Sequence, residues 1–175
     1  MAVKNILVPT DFSAGSEEAV RYALDLAVSL GATLHVVHVL EDPFAPGAFM
    51  EMYSPPPAEY FIDMERQADE RLRASLTAEQ KQQCPVVMTT RMGVPATEIL
   101  ARLQEEPTID LVAMATHGRG SVARFVMGSV TDKVIRAAPC PVVTMREHPH
   151  ASDESGISPA PSPARARQSS NRRRR

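Results

Sequence analysis

Two short stretches of the chain hold residues whose types and spacing could do chemistry. The first, Val8-Pro9-Thr10-Asp11, places a carboxylate where an aliphatic run stops, with Ser13 and Ser16 just beyond it. A carboxylate in that position can accept hydrogen bonds from a sugar hydroxyl or hold a magnesium ion through water. Asp11 or Ser13 can equally do no more than cap a helix that follows. The second stretch is Ala115-Thr116-His117-Gly118-Arg119-Gly120-Ser121, with Gly128-Ser129 further on. Glycines let backbone amides approach phosphate oxygens closely, and amides gathered at a helix start attract anions. Ser129 adds a hydroxyl donor, while Arg119 and Arg124 add positive charge. The spacing is not that of a Walker P-loop, since no Gly-Lys-Ser/Thr follows, and it is not GxGxxG. A purely structural reading stands beside the functional one: Ser129 with Asp132 resembles a capping box, and Gly118 and Gly120 can serve a turn.

The other reactive side chains point less clearly. His117, beside Gly118, either polarises a phosphate or hydrogen-bonds to nearby backbone in a turn. His35 and His38 alternate along an aliphatic run and read as packed, satisfied residues. Cys84 and Cys140 each precede a proline, form no CxxC pair and have no matched base to make a thiolate nucleophile.

These residues need elements to position them. Residues 5–9, 33–40, 86–92, 109–115 and 141–146 are short, mostly aliphatic runs of the kind that form strands buried on both faces. Between them lie stripes at helical spacing. Ala19, Val20, Ala23, Leu24, Ala27 and Leu30 form one, closed by Gly31 where a helix end favours a left-handed residue. Phe61, Met64, Ala68, Leu72 and Leu76 form the next; Ala96, Ile99, Leu100 and Leu103 follow Pro95; Val130, Val134, Ile135 and Ala138 stop before Pro139. Strands alternating with helices predict right-handed crossovers and a doubly wound α/β domain, with a parallel sheet covered on both faces. In such sheets ligands bind beyond the C-terminal ends of the strands, where both candidate stretches fall.

Composition narrows the class further. At 175 residues with 43% hydrophobic and 23% charged side chains, the chain suits one globular domain and neither a fibrous nor a wholly disordered protein. No apolar run approaches the roughly 20 residues of a membrane span. The N-terminus shows no signal-peptide core, so a cytoplasmic protein is expected. Charge is split: residues 1–146 carry a net −5 and residues 147–175 a net +3. That last segment is mainly Ser, Pro, Ala and Arg and closes on Arg172, Arg173, Arg174 and Arg175. It reads as a disordered basic tail, either a solubilising extension or a contact for nucleic acid or another anionic surface. The proline-rich segment 42–57, with Pro43, Pro46 and Pro55 to Pro57, reads as a long connection whose Phe49, Met50, Met52 and Tyr53 could cover a pocket or a partner subunit.

The spacing Ala115, two residues, Gly118, nine residues, Gly128-Ser129 resembles the nucleotide signature of the universal stress protein family: Gly, two residues, Gly, nine residues, Gly and Ser or Thr. The following Val130-Thr131-Asp132-Lys133-Val134 and the closing Ala138-Pro139-Cys140-Pro141-Val142-Val143 strengthen the likeness, which extends from Lys4 to Arg146. The resemblance implies a single five-stranded parallel sheet ordered 3-2-1-4-5. It also implies that, as in ATP-binding members, Asp11 meets the ribose and metal side, backbone at Val39 meets adenine, and Gly118, Gly128 and Ser129 hold the phosphates. Pro9, Thr10, Ala115, His117, Arg119 and Val130 complete the expected site. Ala115 departs from the signature. A methyl at a position of positive φ would cost about 1 kcal/mol and weaken binding, whereas in ordinary extended backbone it is nearly harmless.

The expectation is therefore a stress-response protein whose domain, residues 1–146, binds ATP with Mg²⁺ as a regulatory or protective module. A dedicated enzyme is not expected, because phosphate donors are evident but no convincing base or acceptor site is. The alternative is a nucleotide-free interaction protein of the same fold, acting as a homodimer and contacting nucleic acid through its tail. The last strand, Val142 to Met145, would lie at the sheet edge and is apolar enough to pair with a second copy.

Overall fold

The β-branched runs form strands and the amphipathic stripes between them form helices in a computed structural model of the chain, which describes residues 2–41, 58–116 and 127–146. In chain order the elements are β1 (Asn5–Thr10), α1 (Ala14–Leu30), β2 (Thr33–Leu40), α2 (Ala58–Ala74), α3 (Ala78–Lys81), β3 (Val86–Met92), α4 (Pro95–Glu105), β4 (Leu111–Ala115), α5 (Ser129–Ala137) and β5 (Val142–Met145). The five strands form one parallel sheet in the order β3-β2-β1-β4-β5. This is the expected order, with the first and fourth strands adjacent.

Because successive side chains alternate across a strand, each inner strand feeds two cores. Ile6, Val8, Leu34 and Val36 pack with Ala19, Val20, Ala23, Leu24 and Leu72 from α1 and α2. Leu7, Val37 and Val112 pack on the opposite face with Ile99, Leu103 and Val134 from α4 and α5. Full burial of each such Val, Leu or Ile contributes about 1.5–3 kcal/mol before chain entropy is set against it. Helix α1 ends on Gly31, whose φ of 63° allows its amide and the next to reach back into the last turn.

Three details differ from the sequence reading. Helix α2 stops at Ala74, and Leu76 is buried from the link to α3, a short helix started by a Thr77–Gln80 capping box. Strand β4 begins at Leu111, since Ile109 sits in a turn with its amide bonded to the Glu106 carbonyl. Leu30, placed on the inner stripe of α1, and Ile135, placed on that of α5, are exposed. The connection 42–57 and the tail 147–175 lie outside the described residues.

Candidate functional site

A cleft of about 700 Å³ opens at the C-terminal ends of the inner strands. The topology makes it: β1 leads to α1 on one face of the sheet, β4 is followed by α5 on the other, and the divergence leaves a crevice between neighbouring strands. Of the expected site residues, Pro9, Thr10, Asp11, Val39, Ala115, Gly128, Ser129 and Val130 all line this cleft. His117, Gly118 and Arg119, with Arg124, lie outside the described residues.

The wall formed by β1 and α1 is tied together by its own side chains. Asp11 Oδ1 accepts hydrogen bonds from the Ser13 amide (3.1 Å) and the Ser13 hydroxyl (2.6 Å). Ser13 in turn is the N-cap of α1 and accepts from the Ser16 amide at 3.3 Å. Both readings of this stretch are thus realised at once: Ser13 caps the helix, and Asp11 orients Ser13 while lining the cleft. Thr10 and Ser16 share a buried hydroxyl pair. Between them Phe12 adopts φ 61°, a conformation that costs a bulky residue of order 1–3 kcal/mol. Its ring is held by the His38 imidazole, with centroids 4.3 Å apart, and by the Arg71 guanidinium 4.4 Å from its centroid.

His38 is buried, as expected, but it also lines the cleft. Its Nδ1 lies 2.8 Å from the Thr10 carbonyl oxygen, which can only accept, so Nδ1 carries the proton. Glu41, Met64, Met114 and Thr131 are further cleft residues that the sequence reading does not single out. For His38 and Glu41 a signal existed, because both flank Val39 at the end of β2. For Met64 none did, since a methionine on a helical stripe reads as core.

The wall formed by β4 and α5 is built differently. Ala115 closes β4 in extended conformation, and the one non-glycine residue of positive φ among the described residues is Phe12. The methyl group in place of the signature glycine is therefore accommodated without backbone strain. The Ala115 carbonyl accepts a hydrogen bond from the Thr131 hydroxyl at 2.9 Å, and the Gly128 amide donates to the Thr116 carbonyl at 2.8 Å. These bonds pin the start of α5 against the end of β4. The N-cap is Gly128, with φ −60° and ψ 145°, and no side chain among the described residues caps the helix. Ser129 is the first helical residue, so the capping-box reading of Ser129 and Asp132 fails. Asp132 instead pairs with Arg136, which holds its carboxyl below the usual range. The first-turn amides of α5, carrying the positive end of the helix dipole, thus border the cleft with no side-chain cap among the described residues.

The floor between the walls is largely apolar, with Val37, Val39, Ile99 and Met114. Apolar lining with a few convergent polar groups suits a planar ring attached to a polar chain, and the cleft falls within the roughly 300–1,000 Å³ of small-molecule sites. Asp11 is a single carboxylate, and the described residues include no group of three or more His, Cys, Asp or Glu able to hold a metal. A magnesium ion here would draw its remaining ligands from water and phosphate oxygens.

Outside the cleft, His35 donates or accepts through Nε2 to Asn5 Oδ1 at 3.1 Å, and its buried Nδ1 has no hydrogen-bond partner among the described residues. Burial chiefly, and Arg102 next, push its pKa down against a smaller opposing effect of Glu106. Burial also raises the Cys84 and Cys140 thiols, with Asp110 adding to the effect at Cys140. Both cysteines are thereby kept in the unreactive thiol form.

The model of the universal stress protein family matches residues 2–146. A universal stress protein of Methanocaldococcus jannaschii is 30% identical over 157 residues, covering 82% of this chain and 82% of the relative. Among solved structures, the universal stress protein UspA of Lactobacillus plantarum superposes with a TM-score of 0.64 at 23% identity, covering 83% of this chain and 99% of that one. The universal stress protein of Archaeoglobus fulgidus in complex with dAMP superposes with a TM-score of 0.55 at 23% identity, over 82% of this chain and 98% of that one.

Proposed function

The chain belongs to the universal stress protein family, and from that premise we propose that its cleft binds an adenine nucleotide, ATP with Mg²⁺, as a regulatory or protective module. The observation that carries the reading is the start of α5: first-turn amides headed by a glycine cap, without a side-chain cap among the described residues, bordering a cleft that also holds Asp11. The dAMP complex of the Archaeoglobus protein supports an adenine nucleotide as the ligand class.

In this reading the amides of Ser129 and Val130 face the phosphates, Gly128, whose own amide is bonded to the Thr116 carbonyl, lets the phosphates approach without a side chain in the way, and Ser129 adds its hydroxyl. Asp11, fixed by Ser13, meets the ribose and the metal's water shell. Adenine lies over the apolar floor with the Val39 backbone at its edge. The ion adds charge neutralisation at the phosphates. At most slow hydrolysis is expected of such a module, because fast phosphoryl transfer needs a group that orients the attacking oxygen, and in this reading Asp11 already serves the ribose and the metal's water shell, with its Oδ1 held by Ser13.

Small molecules released by denaturing the purified protein should include an adenine nucleotide, and the stripped chain should titrate with Mg-ATP to a one-to-one end point. Neither release nor binding at millimolar ATP would sink the proposal.

A homodimer through β5 belongs to the same proposal. The strand sits at the sheet edge, and Val142, Val143 and Met145 are only half-buried. The Met145 carbonyl accepts from the amide of Thr116, the residue after β4, so the alternate residue Thr144 turns its backbone polar groups outward. Thr144→Pro should therefore convert the dimer to monomer in sedimentation; a monomeric parent would refute this part.

A further inference from the structure

Three of the side chains around the cleft are methionines from different elements: Met64 on α2, Met114 on β4, and Met127 immediately before the Gly128 cap of α5. Their exposure is graded. Met114 is buried at 4%, Met64 is half-buried, and Met127 is 44% exposed. The thioether most open to solvent is therefore the one joined directly to the helix start. We propose that Met127 is a redox-modification site, and that its oxidation to the sulfoxide by a hydroperoxide switches off ligand binding at the cleft. This inference rests on the nucleotide reading above and adds a control to the same site.

The chemistry is a two-electron oxygen transfer. A sulfur lone pair attacks one peroxide oxygen, the S–O bond forms as the O–O bond breaks, and the departing hydroxide leaves as water after taking a proton. Sulfur is oxidised and the peroxide reduced, with no further reactant needed. The product differs from the thioether where it matters. A thioether sulfur is a weak acceptor, whereas the sulfoxide oxygen is a strong, negatively polarised one. It appears one residue before Gly128, next to first-turn amides that no side chain among the described residues caps. There it competes with phosphate for the same donors and repels phosphate charge. Met114, at 4% exposure, offers the reagent far less surface, so the rim of the cleft is modified ahead of its floor.

The test uses the full chain and hydrogen peroxide quenched with catalase. Peptide mass spectrometry follows the order of oxidation at Met64, Met114 and Met127, and Mg-ATP affinity is measured before and after. Met127 should oxidise first of the three, and affinity should fall by about tenfold or more, as expected when hydrogen bonds to a charged group are lost. Methionine sulfoxide reductase should restore it. In Met127→Leu the ratio of treated to untreated affinity should stay near one, a comparison in which any effect of the substitution itself cancels. The inference is overturned if Met64 or Met114 oxidises while Met127 stays reduced, if affinity survives complete Met127 oxidation, or if Met127→Leu loses affinity to the same degree. An untreated chain that binds no nucleotide overturns the nucleotide reading and this inference with it, whereas binding that survives oxidation overturns this inference alone.

Discussion

Three helices begin at the cleft, and each handles its unpaired amides in its own way. At α1, Ser13 accepts from the Ser16 amide and is itself held by Asp11. At α4, Pro95 removes one amide hydrogen from the first turn, and the N-cap Val94 gives no side-chain hydrogen bond. At α5, the cap is Gly128 and no side chain among the described residues supplies an acceptor. A protein concerned only with stability would cap all three, since replacing a good N-cap typically costs about 1 kcal/mol. The contrast between α1 and α5 separates two uses of one geometry: the first helix start is closed by its own chain, and the last, in the proposed function, receives a ligand.

Substitutions at the two starts should therefore have opposite signatures. The largest effect is expected for Gly128→Asp. Its φ of −60° suits any residue, and an Asp cap would occupy the α5 amides and set a negative charge against phosphate. Mg-ATP affinity by calorimetry should fall by about a hundredfold, the equivalent of two or so charge-assisted hydrogen bonds, while the melting temperature holds or rises. Ser13→Ala should do the reverse. Urea unfolding should show a loss of about 1 kcal/mol, with a smaller loss of affinity than Gly128→Asp because Asp11 loses only the hydroxyl bond and keeps the one from the backbone amide at position 13.

A third effect comes from the opposite end of the sheet and should leave the cleft untouched. His35 is held neutral by burial, so its folded pKa lies below the ordinary 6.5. The unfolded chain then takes up its proton first as the solution acidifies. Stability from this site is complete above pH 6.5 and declines as pH falls from there through the lower folded value. His35→Gln should flatten that part of the stability–pH curve without changing nucleotide affinity at pH 7.5. The smallest effect belongs to Ala115→Gly. Because Ala115 is ordinary extended backbone, restoring the signature glycine should change affinity by less than about twofold and cost about 0.5–1 kcal/mol of stability. A large gain in affinity would show that the bound state needs a conformation this strand does not have.

Much of the arrangement was legible in the residues. The runs at 33–40 and 86–92 became strands with those bounds, because β-branched residues bracketed by turn formers leave little freedom. The two chemical stretches met because β1 and β4 are neighbours, an order supplied by family resemblance rather than by periodicity. Local pattern could not give the role of the Ser129 region. Ser129 with Asp132 satisfies a capping-box spacing, but Gly128 takes the cap position and Arg136 takes the carboxylate. Phe12 was also hidden, since its left-handed φ is sustained by His38 and Arg71 from distant elements. Thr131 carries the same lesson: its bond to the Ala115 carbonyl exists because the sheet brings two separated segments together.

The central claim is that the uncapped amides of α5 hold the phosphates, and a comparison of ATP with adenosine in the parent chain and in Gly128→Asp tests it most directly. Calorimetry should show ATP binding far more tightly than adenosine to the parent, with the difference largely gone in the variant while adenosine affinity is kept. A difference that persists undiminished in Gly128→Asp would contradict the account, because the phosphates would then be held elsewhere.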